Sequence, residues 1–255
     1  MRATGLIHQI RNRLKARDTY TRPEYWDAKA SEYSGRAISM WANPNLNQLY
    51  DREQKAMLDR YLPAKMEGLE CLDAGCGMGR MSLHLAGKGA KVTAVDFSAQ
   101  TIEAARQQSA HPNIDYRVGS LFELEAEDAY DAVFVWGVLT VACVDAKEVA
   151  DVMGRLHRAL RPGGHFFIME PLHSMKGLIR VLDLDLGQFC EVMATQGWSI
   201  QTIQQLHFWP ARLALAYTEV PGAVTSAVYH MGQRAMVALG SEGWGDYKFI
   251  HARPS

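Results

Sequence analysis

The chain has 255 residues, of which 48% are hydrophobic and 22% are charged, and its formal net charge at neutral pH is −1. This length suits one α/β domain with additions, and the composition is that of an ordinary globular protein. A near-neutral charge does not favour nucleic acid as a partner, because nucleic-acid-binding proteins usually carry a clearly basic surface. The longest apolar run, residues 132–144, is too short to span a bilayer and is typical of a buried strand.

The cysteine pattern predicts a reducing compartment. The four cysteines form no Cys-x-x-Cys pair and have no histidine at zinc-ligand spacing, so we expect no metal site. Cys71 and Cys143 lie in apolar runs and are predicted to be buried thiols. The N-terminus lacks the apolar segment of a signal peptide, and we therefore expect a cytoplasmic protein.

The first 62 residues predict an N-terminal helical cap. Residues 4–17 place four apolar side chains on one helical face and basic side chains around the rest. This helix either packs on the domain or makes weak contact with a membrane surface or an acidic partner. A second helix is predicted to begin at Arg22-Pro23 and a third to span residues 46–61, with residues 41–45 as a loop.

Residues 63–255 predict an α/β core. Short apolar runs alternate with amphipathic helices, which indicates a doubly wound, mostly parallel sheet with helices on both faces. The predicted strands are 70–74, 91–96, 114–118, 132–136, 165–169, 199–206 and 246–252. The predicted helices are 80–88, 99–109, 146–160, 184–196 and 220–239. Residues 208–240 form a C-terminal helical insertion before the last strand.

A glycine-rich segment, Asp73-Ala74-Gly75-Cys76-Gly77-Met78-Gly79, lies where the first predicted strand meets the first helix of this core. Ligands bind at such crossovers in open α/β sheets, and glycine lets them touch the backbone. A dinucleotide is disfavoured because its fingerprint is G-x-G-x-x-G. A purely structural turn has little reason to carry three glycines. S-adenosylmethionine has an ammonium group and no phosphate, and therefore fits a loop preceded by Asp73.

Residues 72–80 resemble the first motif of class I S-adenosylmethionine-dependent methyltransferases. Further landmarks of that family follow in order over about residues 70–170: Val95-Asp96-Phe97-Ser98, Gly119-Ser120-Leu121, Tyr130-Asp131-Ala132-Val133, Val135-Trp136-Gly137-Val138-Leu139 and Leu160-Arg161-Pro162-Gly163-Gly164. The resemblance implies a seven-stranded sheet whose last strand is antiparallel. It also implies S-adenosyl-L-methionine as cofactor and S-adenosyl-L-homocysteine as product.

The resemblance assigns roles on the cofactor side. Gly75, Gly77 and Gly79, with Cys76 between them, would pack on the methionine part and the ribose. Asp73 would interact with the amino group, and Asp96 would accept both ribose hydroxyls.

Other positions would contact the remaining parts of the cofactor. Phe97, Ser120 and Leu121 would lie at the adenine, although Ser120 stands where the family commonly has Asp. Trp136 and Gly137 would lie at the methionine end, and Tyr33 could bind the methionine carboxylate. Phe97 and Trp136 equally suit core positions, and Tyr33 equally suits packing of the cap.

The acceptor side is less specified. Many relatives that methylate small molecules have His after Val-Leu at the end of the fourth strand, whereas this chain has Thr140. The remaining candidates for a catalytic base or substrate contact are His173, Glu170 and Asp145. Aromatic residues of the cap and insertion suit either an acceptor pocket or cap–core packing; they are Trp41, Tyr50, Phe208, Trp209 and Tyr229.

The sequence thus predicts a methyltransferase that acts on an O or N atom of a small organic molecule, such as a metabolite, sugar or lipid-like acceptor. The alternative is a cofactor-binding regulatory or scaffold protein of the same fold without transfer activity.

Overall fold

The computed structural model describes residues 20–32, 41–175, 181–240 and 243–255. The predicted helix 4–17 and Tyr33 lie outside these residues. The strands are β1 (Glu70–Ala74), β2 (Lys91–Asp96), β3 (Ile114–Val118), β4 (Tyr130–Trp136), β5 (Leu160–Glu170), β6 (Trp198–Phe208) and β7 (Gly245–Pro254). The α-helices are α1 (Pro23–Glu32), α2 (Pro44–Asp59), α3 (Arg80–Gly87), α4 (Ala99–Gln108), α5 (Leu139–Ala142), α6 (Ala146–Ala159), α7 (Leu186–Thr195), α8 (Trp209–Leu215) and α9 (Gly222–Ala238).

The strands form one seven-stranded sheet in the order β3-β2-β1-β4-β5-β7-β6. The first five strands are parallel, and β7 runs antiparallel between β5 and β6. The strand order reverses at β1, next to β4, which is where ligands bind in doubly wound sheets. The predicted fold class, including the antiparallel last strand, is confirmed.

Buried residues alternate between the two faces of the sheet. Cys71 and Phe134 pack into one core cluster with residues of α2, α3 and α4, whereas Leu72 and Val133 pack into a second with residues of α6 and α7. This period-2 alternation explains why the central strands read as continuous apolar runs, since both faces are covered. Cys71 and Cys143 are buried free thiols, as predicted.

Two predictions differ from the structure. The apolar run 132–144 is not one buried strand: its strand ends at Trp136, where the predicted strand 132–136 also ends, because the chain turns at Gly137, whose φ is +72°, and continues as α5. Helix α2 begins at Pro44, within the predicted loop 41–45. Asn43 caps it, since its side-chain oxygen accepts hydrogen bonds from the backbone nitrogens of Asn45 and Leu46.

Helix α1 lies against α4, beside the end of β2. The Ser98 hydroxyl donates to Asp27 Oδ1 over 2.6 Å, and it also caps α4 by accepting from the Thr101 backbone nitrogen. This contact holds α1 at Ser98, which follows Asp96 by two positions in the chain. Among the residues that the structure describes, no helix has both the length and the hydrophobicity to cross a membrane.

Candidate functional site

The glycine loop joins β1 to α3 and has three glycines at positive φ: Gly75 at +80°, Gly77 at +52° and Gly79 at +79°. A Cβ at Gly75 would lie 2.3 Å from a methyl carbon of Val138, and one at Gly79 would lie 2.1 Å from the Tyr116 hydroxyl. A Cβ at Gly77 would meet nothing within 4 Å. The outer two glycines are therefore required by packing, whereas Gly77 leaves the loop open to a ligand.

Asp96 ends β2 and faces this loop. Its Oδ2 accepts the Gly77 backbone N–H over 3.0 Å, and its Oδ1 accepts the Ser98 backbone N–H over 3.0 Å. Burial raises the pKa of Asp96, against the effect of these two hydrogen bonds. A carboxylate oxygen can accept two hydrogen bonds, so each oxygen of Asp96 keeps a lone pair for a further donor. The geometry suits a vicinal diol.

Asp73 lies beneath the loop at the carboxyl end of β1. It is buried, and the Ser82 hydroxyl donates to its Oδ2 over 2.5 Å. Burial raises the pKa of Asp73 to about 6. A cationic group at the loop would favour the ionised form of Asp73.

The segments that follow β2 and β3 carry three other predicted cofactor residues. Ser120 Oγ accepts from the Phe122 backbone nitrogen over 3.2 Å and caps a 3₁₀ turn over Leu121–Glu123, in which Leu121 is buried. Phe97 is half-buried beside Asp96. Ser120 therefore caps this turn as a hydrogen-bond acceptor, and its hydroxyl proton does not take part in the capping bond.

Trp136, at the end of β4, donates from its ring nitrogen to Gln54 Oε1 over 2.9 Å. The same oxygen accepts from Arg80, which follows Gly79. Gln54 of α2 thus joins β4 to the glycine loop. Gln54 belongs to no sequence motif, and its one local signal is its place a helical turn after Tyr50.

Glu170, a candidate base, is fully buried at the end of β5. Its Oε1 accepts the backbone N–H groups of Val138 and Leu139, and its Oε2 accepts both the backbone N–H and the hydroxyl of Thr140. Burial raises its pKa, against these four hydrogen bonds. All four in-plane lone pairs of this carboxylate are occupied, which favours a positioning role for Glu170.

The other two candidates also have structural partners. His173 Nε2 lies 3.2 Å from Asp246 Oδ1, and both side chains are buried. Asp145 caps α6 by accepting the Glu148 backbone N–H over 3.0 Å. A catalytic role for His173, Glu170 or Asp145 stays a prediction.

Asp246 is the centre of a buried polar cluster at the same edge of the sheet. Its Oδ1 accepts two hydrogen bonds from Arg212, at 3.0 and 2.9 Å, and its Oδ2 accepts the Tyr50 hydroxyl. Burial alone would raise the pKa of Asp246, but His173 and Arg212 outweigh burial and lower it well below its usual range. The cluster joins α2, α8 and β7, and no motif in the sequence marks it.

The edge formed by these loops fits S-adenosylmethionine on three observations. Gly77 has no neighbour above it, Asp96 keeps lone pairs for two hydroxyls, and a buried carboxylate at Asp73 lies beneath the loop. The described residues contain no cluster of His, Cys, Asp or Glu that could hold a metal ion. Fold and glycine loop together match those of class I S-adenosylmethionine-dependent methyltransferases, and the central part of the chain matches a methyltransferase domain.

The family model that matches is a methyltransferase domain, over residues 71–164. A ubiquinone biosynthesis O-methyltransferase of Methylocella silvestris is 41% identical over 124 residues, which cover 46% of each chain. A malonyl-[acyl-carrier protein] O-methyltransferase of Enterobacter lignolyticus is 39% identical over 120 residues, which cover 46% of this chain and 44% of the relative. These matches span less than half the length of either relative.

A solved structure extends the likeness to nearly the whole fold. Geranyl diphosphate C-methyltransferase from Streptomyces coelicolor, in complex with Mg²⁺, geranyl diphosphate and S-adenosyl-L-homocysteine, superposes with a TM-score of 0.64 at 15% identity. The superposition covers 94% of this chain and 98% of that one. At this identity the match shows the fold alone.

Proposed function

We propose that this protein transfers a methyl group from S-adenosylmethionine to an O or N atom of a small organic molecule, such as a metabolite, sugar or lipid-like acceptor. The observation that carries the proposal is the pair formed by the open face at Gly77 and the Asp96 carboxylate 3.0 Å from its nitrogen. The two curated relatives are both named O-methyltransferases, which supports oxygen as the acceptor atom.

Each loop residue has a distinct part in this function. S-adenosylmethionine, when bound, supplies a methyl group on a positively charged sulfur that is already a good leaving group. Gly77 lets the backbone approach the ligand, Asp96 accepts the two ribose hydroxyls, and Asp73 balances the amino group. Trp136, fixed by Gln54, bounds the methionine end. The protein accelerates transfer chiefly by holding donor and acceptor in line.

The hydrogen bonds of the candidate bases favour acceptors that can be methylated without a general base. Glu170 is saturated by four donors, and His173 is bound to Asp246. A carboxylate, or an amine that is neutral at its site, can accept a methyl group without a general base, whereas an aliphatic hydroxyl needs one. All four cysteines are free thiols, which supports a location in the reducing cytoplasm.

The second candidate function is a cofactor-binding regulatory or scaffold protein of the same fold. The observation that favours it is that all three predicted acceptor-side residues are held in structural contacts. Cofactor binding with no turnover on a panel of carboxylic acids, phenols and amines would favour it over methyl transfer.

Calorimetry with S-adenosylmethionine tests the proposal first. Asp96→Ala should weaken binding by about 1–3 kcal/mol, since the ribose hydroxyls lose a buried partner. Asp115→Ala is the matched control, because Asp115 is an exposed acid on neighbouring β3 that pairs with Arg117, and it should leave affinity unchanged. If the wild-type protein does not bind at millimolar cofactor, the proposed function is wrong.

A further inference from the structure

Two side-chain nitrogens near the carboxyl edge of the sheet are fully buried and lack any hydrogen-bond partner within the described residues: Gln54 Nε2 and His207 Nε2. The third such atom, Trp198 Nε1, lies at the start of β6, at the opposite edge. Buried donors are nearly always satisfied in native proteins. Two orphans at the edge where ligands bind therefore indicate a group that the described residues do not supply.

The orientation of the Gln54 amide is fixed by its neighbours. Its Oε1 lies 2.8 Å from Arg80 Nη2 and 2.9 Å from Trp136 Nε1, and both of these nitrogens can only donate. The carbonyl oxygen must therefore face them. The amide NH₂ points away from them with two hydrogens to donate.

The tautomer of His207 follows from a chain of hydrogen bonds. The Phe208 backbone N–H donates to Gln233 Oε1 over 3.1 Å, so Gln233 Nε2 donates to the Tyr229 oxygen over 3.2 Å. The Tyr229 hydroxyl then donates a hydrogen bond to His207 Nδ1 over 2.7 Å. His207 accepts at Nδ1 and carries its hydrogen on Nε2.

His207 stays neutral in this environment and is held in a demanding backbone conformation. Burial lowers its pKa to about 3. Its φ of +63° lies in the left-handed region, which residues other than glycine rarely adopt. The surrounding contacts therefore fix both the tautomer and the direction of the Nε2–H group.

The two donors belong to one region. Tyr50 and Gln54 lie one turn apart on α2, and the His207 ring stacks on Tyr50 with centroids 3.6 Å apart and planes 16° apart. Arg80, which binds Gln54, is close enough to lower the pKa of His207. Both groups thus lie between α2 and the carboxyl edge of the sheet.

We propose that Gln54 Nε2 and His207 Nε2 form an acceptor subsite that binds a carbonyl or carboxylate oxygen of the methyl acceptor. The proposal rests on the proposed function and adds a substrate class to it. Both nitrogens donate, so the ligand atom must bring free lone pairs, and an ammonium group is excluded. His207 binds the acceptor rather than taking its proton, because Nε2 already carries a hydrogen.

The methionine carboxylate of the cofactor has the same chemistry and is the competing source. The relay that fixes His207 favours the acceptor, since His207 comes from β6 and Tyr229 and Gln233 come from α9. In the strand order β6 lies beyond β5 and β7, at the other end of the sheet from β2. The glycine loop and Asp96 follow β1 and β2.

The test uses the full chain saturated with S-adenosylhomocysteine, with benzoate as the carboxylate probe and benzylammonium as a probe of similar size and opposite charge. In ¹⁵N-histidine spectra, His207 should appear as the neutral Nε2–H tautomer. Benzoate should shift the Nε2–H signal, and benzylammonium should not. Absence of a benzoate shift while S-adenosylhomocysteine binds normally would overturn the subsite and leave the proposed function standing.

Variants separate the two sources of carboxylate. His207→Ala should weaken benzoate binding about tenfold and change S-adenosylhomocysteine affinity by less than about twofold. His230→Ala, an exposed histidine beside Tyr229, is the control and should change neither. An equal loss of cofactor affinity would assign the donors to the cofactor and overturn the proposal. No cofactor binding by the wild-type protein would instead refute the proposed function.

Tyr229→Phe keeps the ring and removes the hydroxyl that sets the tautomer, so it reports on the relay even if His207→Ala fails to fold. His207 should then populate both neutral tautomers, and benzoate binding should weaken. An unchanged tautomer in this variant would contradict the relay.

Discussion

Glu170 Oε1 lies 2.7 Å from the backbone nitrogen of Val138, so the end of β5 holds the loop that follows β4. Three successive backbone N–H groups and one hydroxyl converge on this carboxylate. The same loop packs on the glycine loop, because Val138 covers Gly75. Glu170 therefore acts on the cofactor loop through its neighbours.

Replacing Glu170 with Gln tests that role. The glutamine amide has one oxygen in place of two, and its NH₂ group would face N–H or O–H donors of residues 138–140. The free energy of unfolding should therefore fall by about 1–3 kcal/mol in denaturant titrations. Glu125→Gln, an exposed acid, should have no effect. If Glu170→Gln instead abolished methyl transfer with stability unchanged, Glu170 would be a catalytic base.

The glycine loop allows a paired test. Gly79→Ala should cost about 2–5 kcal/mol of stability, from its left-handed backbone and the collision with Tyr116. Gly77→Ala should cost only about 1–2 kcal/mol, since its new methyl group meets no protein atom. It should nevertheless weaken S-adenosylhomocysteine binding in calorimetry. Normal binding by Gly77→Ala would show that no ligand lies against that face.

Asp73 predicts a pH dependence of stability. Its pKa in the folded protein is about 6, above the usual value, so the folded state holds a proton that the unfolded chain releases near pH 4. Stability from this group is therefore present at low pH and lost as the pH rises from about 4 to 6. Relative to Asp73→Asn, the wild-type protein should lose about 2 kcal/mol between pH 4 and pH 7.

Denaturant titrations at the two pH values measure this difference, and Asp115→Asn is the exposed control. If the wild type instead became more stable relative to Asp73→Asn as the pH rose, Asp73 would be ionised in the folded protein and stabilised by a cationic partner.

Asp246 predicts the opposite sign. His173 and Arg212 hold its pKa well below the usual value, so its contribution is present above about pH 4 and is lost as the pH falls further. Asp246→Asn leaves the Arg212 guanidinium buried without its counter-charge and should cost about 3–5 kcal/mol near neutral pH. Thermal unfolding should show this loss, and the gap between variant and wild type should narrow in acid. A constant gap at all pH values would contradict the assignment.

Local sequence signals were sufficient for the strands and the glycine loop. The bounds of β1, β2 and β3 match the predictions, because apolar runs flanked by glycine or an acid are properties of neighbouring residues. Helix α5 was not predicted, because its apolar residues continue the pattern of β4. Its start depends on the turn at Gly137 and on the Glu170 carboxylate, which lies 30 positions from Thr140 and accepts its hydroxyl.

The polar cluster could not be predicted for a related reason. Tyr50 and Asp246 are 196 positions apart, and Arg212 and Asp246 are 34 apart. No spacing rule links residues that meet only when α2 and α8 pack on the sheet. The orphan nitrogens of Gln54 and His207 likewise become visible only once every neighbouring hydrogen bond is assigned.

The position of β7 between β5 and β6 has a consequence for folding on the ribosome. β7 is the last strand in chain order, yet β6 pairs with it and with no other strand in the described sheet. Until residues 245–254 leave the exit tunnel, β6 has no partner and β5 presents an unpaired edge. Such edges invite wrong pairing, so we expect the nascent chain to need shielding at this stage.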